Sequence, residues 1–230
     1  MVSSNQRIIN WNNSIPVIEK PKRQVINGKR HYIINNGEDK IAYPSVTTVL
    51  GCRGKAFLAD WRKRVGDKEA KKITSQAAKK GTNMHNICES YLRNQQPSAK
   101  DMVPMAKFEF ASIREYFDKI DNVYAVENVL WSHKLKMAGA VDCIAEYDGI
   151  LSIIDFKTSR KYKRKEWITN YFAQTTAYAI MANERYGIVP KQLVIMIGNV
   201  QGGQVFVEKP QNYYDYLMES KRMYMNGESD

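Results

Sequence analysis

The alternation of apolar and polar positions divides the chain into a mainly helical first half and a strand-rich second half. Residues 25–43 read as a hairpin. The extended run Arg30-His31-Tyr32-Ile33-Ile34 meets the turn residues Asn35-Asn36-Gly37, and Lys40-Ile41-Ala42-Tyr43 returns. Pro44 resets the pattern, and Ser45 stands where it would cap a short helix through Leu50, ended by Gly51 and Gly54. Two basic helical stretches follow over 55–65 and 68–80, with Gly66 between them. Gly81-Thr82 opens another helix to about Asn94, where Gln95-Gln96-Pro97 stops it. Helical spacing also covers 104–119, with Phe108, Ile113, Tyr116 and Phe117 on or near one face.

The period then changes from helical to alternating. Residues 122–132, 136–147 and 150–158 read as three strands, and Asp148-Gly149 supplies a tight turn between the last two. A long helix is expected over 165–186, an apolar strand over 191–200, a turn at Gly202-Gly203, a returning strand over 204–208 and a final helix over 210–225. Helices, three strands, helix, two strands, helix is the order of an α/β sheet flanked by helices, with an added N-terminal helical region. Residues 1–24 read as a partly flexible segment before a single domain over 25–230. No internal repeat is present.

Composition narrows the class. With 43% hydrophobic and 26% charged residues, the 230-residue chain is ordinary for a globular protein. Its apolar runs are too short to span a membrane. Cys52, Cys88 and Cys143 are odd in number and widely spaced, which argues against a disulfide scaffold, a zinc ribbon or a four-cysteine cluster, and for a reducing compartment. The first residues lack the apolar core of a signal peptide. The net charge is +11. A solubilising surface or a polyanionic partner would each explain it, but the charge is clustered. Ten bases stand against three acids from Arg53 to Lys80, and six bases fall in the nine positions from Lys157 to Lys165. Two such patches suit a phosphate track. Phe57, Trp61 and Tyr162 lie within them, either as stacking platforms for bases or, for Phe57 and Trp61, as core residues.

The candidate chemistry begins with two carboxylates. Asp142 lies six residues before the Asp148-Gly149 turn and Asp155 six after it, so a tight hairpin sets them opposite each other. Asp155 and Lys157 are two apart and share a strand face. Such a pair of acids is unfavourable unless a cation neutralises it, and oxygen ligands suit Mg²⁺ or Mn²⁺. An exposed ion pair is the plain alternative for Asp155 and Lys157, although an apolar run leads directly into them. His85 and Glu89, like Gln174 and Tyr178, are at i and i+4 on a helix, a spacing that surface and core residues also show.

Taken together, G-x-x-x-H-x-x-x-E at Gly81–Glu89, G-x-x-D at Gly139–Asp142, D-x-K-T at Asp155–Thr158 and Q-x-x-x-Y at Gln174–Tyr178 resemble the ordered motifs of RecB-like nucleases in the PD-(D/E)XK superfamily. Tyr43-Pro44-Ser45-Val46-Thr47, Glu127-Asn128 and the run Val141–Tyr147 are similar to the mitochondrial genome maintenance exonuclease family and its compact phage or bacterial relatives. The resemblance, covering about residues 43–224, implies a restriction-endonuclease-like mixed sheet and a metal-dependent exonuclease acting on single-stranded DNA, leaning towards 5′ ends, in replication, recombination or repair. It implies that His85, Asp142, Asp155 and the Phe156 carbonyl hold Mg²⁺ or Mn²⁺, and that Lys157 is the catalytic lysine. Gln174 and Tyr178 would steady Lys157 or a phosphate. Glu89 would support the metal from one layer out, with Glu127 a weaker candidate for that place. Arg53, Lys55, Phe57, Trp61, Arg62, Lys63, Arg64, Lys79, Lys80, Ser159, Arg160, Lys161 and Tyr162 would line the DNA path. A monomer in the cytoplasm of a bacterium or phage-infected cell is expected; a mitochondrial place does not follow. A structure-specific endonuclease on the same fold and a non-catalytic nucleic-acid binder are the rival readings.

Overall fold

The computed structural model describes residues 7–16 and 18–230, so the first six residues of the expected flexible segment lie outside it. Three antiparallel strands come first: β1 (Lys22–Ile26), β2 (Lys29–Asn36) and β3 (Asp39–Pro44). The hairpin expected over 25–43 is therefore two hairpins, and β1 crosses the boundary placed after residue 24. Asn27 and Gly28 both take positive φ (50° and 72°), as a two-residue turn matched to strand twist requires. Ser45 caps α1 (Val46–Leu50) by accepting from the Thr48 backbone N–H at 3.1 Å.

The helices α2 (Lys55–Val65) and α3 (Asp67–Leu92) differ from the sequence expectation in one respect. Gly81-Thr82 does not start a helix: α3 runs unbroken for 26 residues, and the Thr82 hydroxyl donates back to the Ala78 carbonyl at 3.0 Å. Glycine inside a helix costs about 1 kcal/mol, and burial of Met84, Cys88, Tyr91 and Leu92 against the sheet outweighs it. The helix α4 (Pro104–Ile113) continues into a 3₁₀ turn over Arg114–Lys119. Its face is rotated from the expected one: Phe108 is exposed and Glu109 is fully buried.

The main sheet is mixed, in the order β4 (Ile120–Ser132), β5 (Met137–Tyr147), β6 (Ile150–Ser159), β7 (Gln192–Asn199), β8 (Gln204–Glu208). Only β6 and β7 are parallel, and α5 (Thr169–Tyr186) crosses over between them. Helices cover both faces, which is why β6 and β7 read as nearly continuous apolar runs. On one face Ile153, Ile195 and Ile197 pack with Phe172, Ala173 and Ala177 of α5 and with Leu217 of α6 (Tyr214–Met225). On the other, Ile154, Phe156, Val194 and Met196 pack with Met84, Cys88 and Tyr91 of α3 and with Phe117. The small sheet leans on β4 and β5 through Tyr32, Ile34, Tyr43, Val129 and Ala138. Near the chain start, Trp11 pairs with Val123 and adds to the free edge of β4. No helix among the described residues is long and apolar enough to cross a membrane.

Candidate active site

Register brings the acids together. In the β5–β6 hairpin, whose turn residues Asp148 and Gly149 both have positive φ, Cys143 pairs with Ile154, so the next step sets Asp142 against Asp155. In the β4–β5 pair, Val126 meets Cys143 and Asn128 meets Val141, which sets Glu127 against Asp142. Glu127, Asp142 and Asp155 thus form a row across three neighbouring strands. Glu127 itself has φ 51°, a left-handed conformation that glutamate rarely adopts.

His85 reaches this row from α3. Its Nδ1 lies 3.4 Å from Asp142 Oδ2 and 3.9 Å from Glu127 Oε1. His85, Glu127 and Asp142 each present a ligand atom, all within 4.8 Å of one another. One imidazole with carboxylate oxygens is a donor set that fits Mn²⁺ or Mg²⁺. Asp142 is fixed by the Phe156 backbone N–H, which donates to Oδ2 at 2.8 Å in place of a regular ladder bond. Burial would lower the His85 pKa, but Asp142 and Glu127 outweigh it and hold the ring up to about 9 in the metal-free protein.

Asp155 is 1% exposed, so the surface ion pair is not what Asp155 and Lys157 form. Lys157 Nζ sits directly on Asp155 Oδ2, and Gln174 Nε2 donates to the other oxygen at 3.1 Å. Burial pushes the Asp155 carboxyl up against the pull of Lys157, with Asp142 adding to the rise. Burial opposes the Lys157 charge, yet Asp155 and Asp142 raise its pKa, so the ammonium stays protonated at neutral pH. Gln174 therefore steadies Asp155 rather than Lys157. Tyr178 lies 3.4 Å from the Gln174 amide and packs on Gly139, where a Cβ would come within 2.8 Å of the ring. That close approach explains the glycine three residues before Asp142. Glu89 turns away: it accepts from Arg93 at 2.9 Å, and Glu127 takes the place beside His85. Sequence reading passed over Tyr171, whose ring lies 5.2 Å from Lys157 Nζ. Its spacing of three and seven residues before Gln174 and Tyr178 puts all three on one helix face, a signal the sequence did contain.

Residues 99–222 match the family profile of the PD-(D/E)XK nuclease superfamily. The chain belongs to that superfamily. Its mixed five-stranded sheet flanked by helices, with further helices towards the N-terminus, is the expected α/β fold. The chain is similar to mitochondrial genome maintenance exonuclease 1 of Homo sapiens, 32% identical over 129 residues that make up 52% of this chain and 38% of that protein. The Mus musculus protein of the same name is 31% identical over 150 residues, 59% of this chain and 44% of its own length. This chain thus spans less than half the length of these relatives. His85 and the basic part of α3 precede the residues that the superfamily profile matches.

Beside the superfamily's D-x-K pair, a cavity of about 720 Å³ opens between α3 and the end of β6, lined by Gln76, Lys80, Thr158, Ser159, Arg160, Lys161, Lys163 and Tyr171, with Met105 and Val200. Of the residues expected on a DNA path, Lys80, Ser159, Arg160 and Lys161 meet there. Lys79 is exposed next to Lys80, and the Tyr162 hydroxyl donates to the Gln201 carbonyl at 2.8 Å. The α2 residues stay outside the cavity lining. No residue of α2 is buried, so Phe57 and Trp61 are not core; Phe57 is 68% exposed. Lys55, Arg62, Lys63 and Arg64 project to solvent, the last two turns pairing Arg62 with Asp67 and Lys63 with Asp60. Arg53 is held on α6, its guanidinium over the Tyr216 ring at 4.2 Å and its Nε donating to the Ser220 hydroxyl at 2.7 Å.

Proposed function

We propose that the chain is a divalent-metal-dependent DNA exonuclease that acts on single strands. The observation that carries this reading is the cluster of His85, Glu127 and Asp142 beside the buried Asp155–Lys157 pair, with a basic cavity lined from Thr158 onward on the same strand. His85, Glu127, Asp142 and Asp155, with the Phe156 carbonyl, would hold Mg²⁺ or Mn²⁺. The cation would polarise a phosphoryl oxygen and offset the charge that builds up on it. Lys157, kept protonated by its two acids, is a hydrogen-bond donor to a phosphate oxygen or to the attacking water, not a base. Gln174 holds Asp155 against rotation, and the Phe156 N–H does the same for Asp142. The cavity's lysines and arginine suit the phosphates of a strand, and Tyr171 and Met105 suit bases without regard to sequence.

The relatives named as exonucleases support end-dependent cutting, and the motif resemblance leans to 5′ ends, within DNA replication, recombination or repair. The three free, buried cysteines agree with a reducing compartment, and we place the protein, as a monomer, in the cytoplasm of a bacterium or phage-infected cell. An endonuclease on the same fold differs in one assay. End-labelled linear and circular single strands are incubated in Mg²⁺, Mn²⁺ or EDTA. Labelled linear strands should be consumed with either metal, circles should survive, and EDTA should stop the reaction. Lys157→Ala should lower turnover about 100- to 1,000-fold, the scale for removing one transition-state donor, while binding persists. Full turnover in EDTA, or by Lys157→Ala, would remove the reading; cut circles would replace the exonuclease with an endonuclease.

A further inference from the structure

A second cavity, of about 430 Å³, touches the acidic row directly: Glu127 lines it, together with Trp11, Arg93, Tyr124 and Asn128. It is within the size range of small-molecule sites. Its chemistry is unlike that of the basic cavity. There, Arg160, Lys161 and Lys163 converge, joined by Lys80, which is paired with Glu109, and no acid lines the wall. Here, Arg93 is already engaged by Glu89 at 2.9 Å and by the Val126 carbonyl at 3.0 Å, and the remaining Lys20 is matched by Glu19. What is left on offer is aromatic surface: the Trp11 ring, with the Arg93 guanidinium 5.6 Å from its centroid, and Tyr124.

The wall that carries Trp11 is fixed in place. The Trp11 indole N–H donates to the Leu92 carbonyl at 2.9 Å, and backbone bonds of 2.8 Å join Asn12 N–H to Val123 C=O and Val123 N–H to Asn10 C=O. The Asn94 side chain clamps both backbone groups of Ile9, at 2.8 and 2.9 Å. A preformed site forfeits little ordering entropy when filled. This wall lies outside the residues matched to the superfamily, so the superfamily match does not account for it.

Glu127 on β4 belongs to both the row and the second cavity, whereas the basic cavity begins on β6 at Thr158, three residues and roughly 10 Å along the strand beyond Asp155. A strand with its backbone in the basic cavity and its scissile phosphate over the row would reach the second cavity at Glu127. We propose that this second cavity binds the base of the terminal nucleotide of a DNA strand, the one released by cleavage, by stacking on Trp11 and Tyr124. The assignment rests on the nuclease reading above and deepens it. It supplies a reason for end-dependence: the N-terminal wall receives one nucleotide where an open groove would let the strand run on.

The test is equilibrium binding of fluorescently labelled single strands in EDTA, so that no turnover intervenes. Each strand carries either a natural or an abasic nucleotide at its 5′ end, its 3′ end or its middle. The native protein should bind about 5- to 150-fold more weakly when the base is missing at one end, the effect of losing one stacked base, and much less when it is missing in the middle. Tyr124→Ala and Trp11→Ala should bind the natural strand as weakly as the native protein binds the abasic one, and should no longer distinguish the two. Tyr124→Phe should keep the discrimination, which separates stacking from damage to the fold. Equal binding of natural and abasic strands by the native protein, or full discrimination by Tyr124→Ala, overturns the pocket and leaves the nuclease reading standing. If no strand is bound at all, both readings fall together.

Discussion

His85 has two acidic neighbours and one proton too many for a metal ligand. With its pKa held up to about 9 in the metal-free protein, against 6.5 for the free side chain, the ring is charged at neutral pH. Its contribution to stability is complete below about 6.5 and is lost as pH rises through about 9, the direction expected for a base gaining acidic partners. A cation can use the ring only by displacing that proton. Metal binding at pH 7 should therefore release about one proton, read as a buffer-dependent enthalpy in calorimetric titrations with Mn²⁺, and affinity should climb up to tenfold per pH unit until about pH 9. His85→Ala should abolish the proton release; a buffer-independent enthalpy in the native protein would contradict this account. Glu127 shows why part of the site was not readable beforehand. Asp142 and Asp155 could be paired by counting from Asp148-Gly149, a turn with an unambiguous signature. Glu127 faces Asp142 through the longer Ser132–Met137 connection, which has no such signature, and its positive φ is a conformation that no glutamate advertises.

At the level of elements, α3 and α4 are joined by a pair that alternation could not disclose. Glu109 is fully buried on α4, and its carboxylate meets Lys80 Nζ on α3. Reading Phe108 as the inward residue followed from apolarity alone; a buried glutamate becomes tolerable only because a lysine from another helix arrives. Burial raises the Glu109 pKa, and the bond to Lys80 pulls it back. The α4 backbone lies close on β7 at this point: a Cβ on Gly198 would approach the Glu109 carbonyl oxygen to 2.7 Å. Lys80→Met strands the carboxylate and should cost about 3 kcal/mol, the low end for breaking a buried pair, or roughly 6–12 °C in Tm. The double variant Lys80→Met/Glu109→Leu should recover most of that loss in thermal denaturation. Equal losses in the single and double variants would mean that the pair does not tie the helices. Most elements, by contrast, were legible: Ser45, Asp148-Gly149 and the apolar run of β6 are local signals that agree with the tertiary fold. The unbroken α3 was not, because Gly81 argues locally for a break and only the sheet's apolar face argues against it.

For the molecule as a whole, a net charge of +11 matters less than where it sits. Arg160, Lys161 and Lys163 converge on one cavity, whereas Arg62, Lys63 and Arg64 stand on a helix with no buried face. Neutralising the first three should flatten the plot of log affinity against log salt for single strands by about 2, at roughly 0.7 per phosphate contact. Neutralising the second three should change the slope by less. The reverse order would move the strand's path from the cavity to α2. Both groups lie upstream of, or against, the one rod that also carries His85, about 39 Å long by the rise of a 26-residue helix. Helical phase is therefore shared between substrate capture and chemistry. One residue inserted between Ala78 and Lys79 would turn everything before it by about 100° relative to His85, taking Gln76 off the cavity wall. Seven inserted residues would return the face to within about 20° but carry it about 10 Å along the axis. Phase and reach are thus set together in this arm, and alanine insertions of one residue and of seven should both weaken strand binding, measured by equilibrium titration.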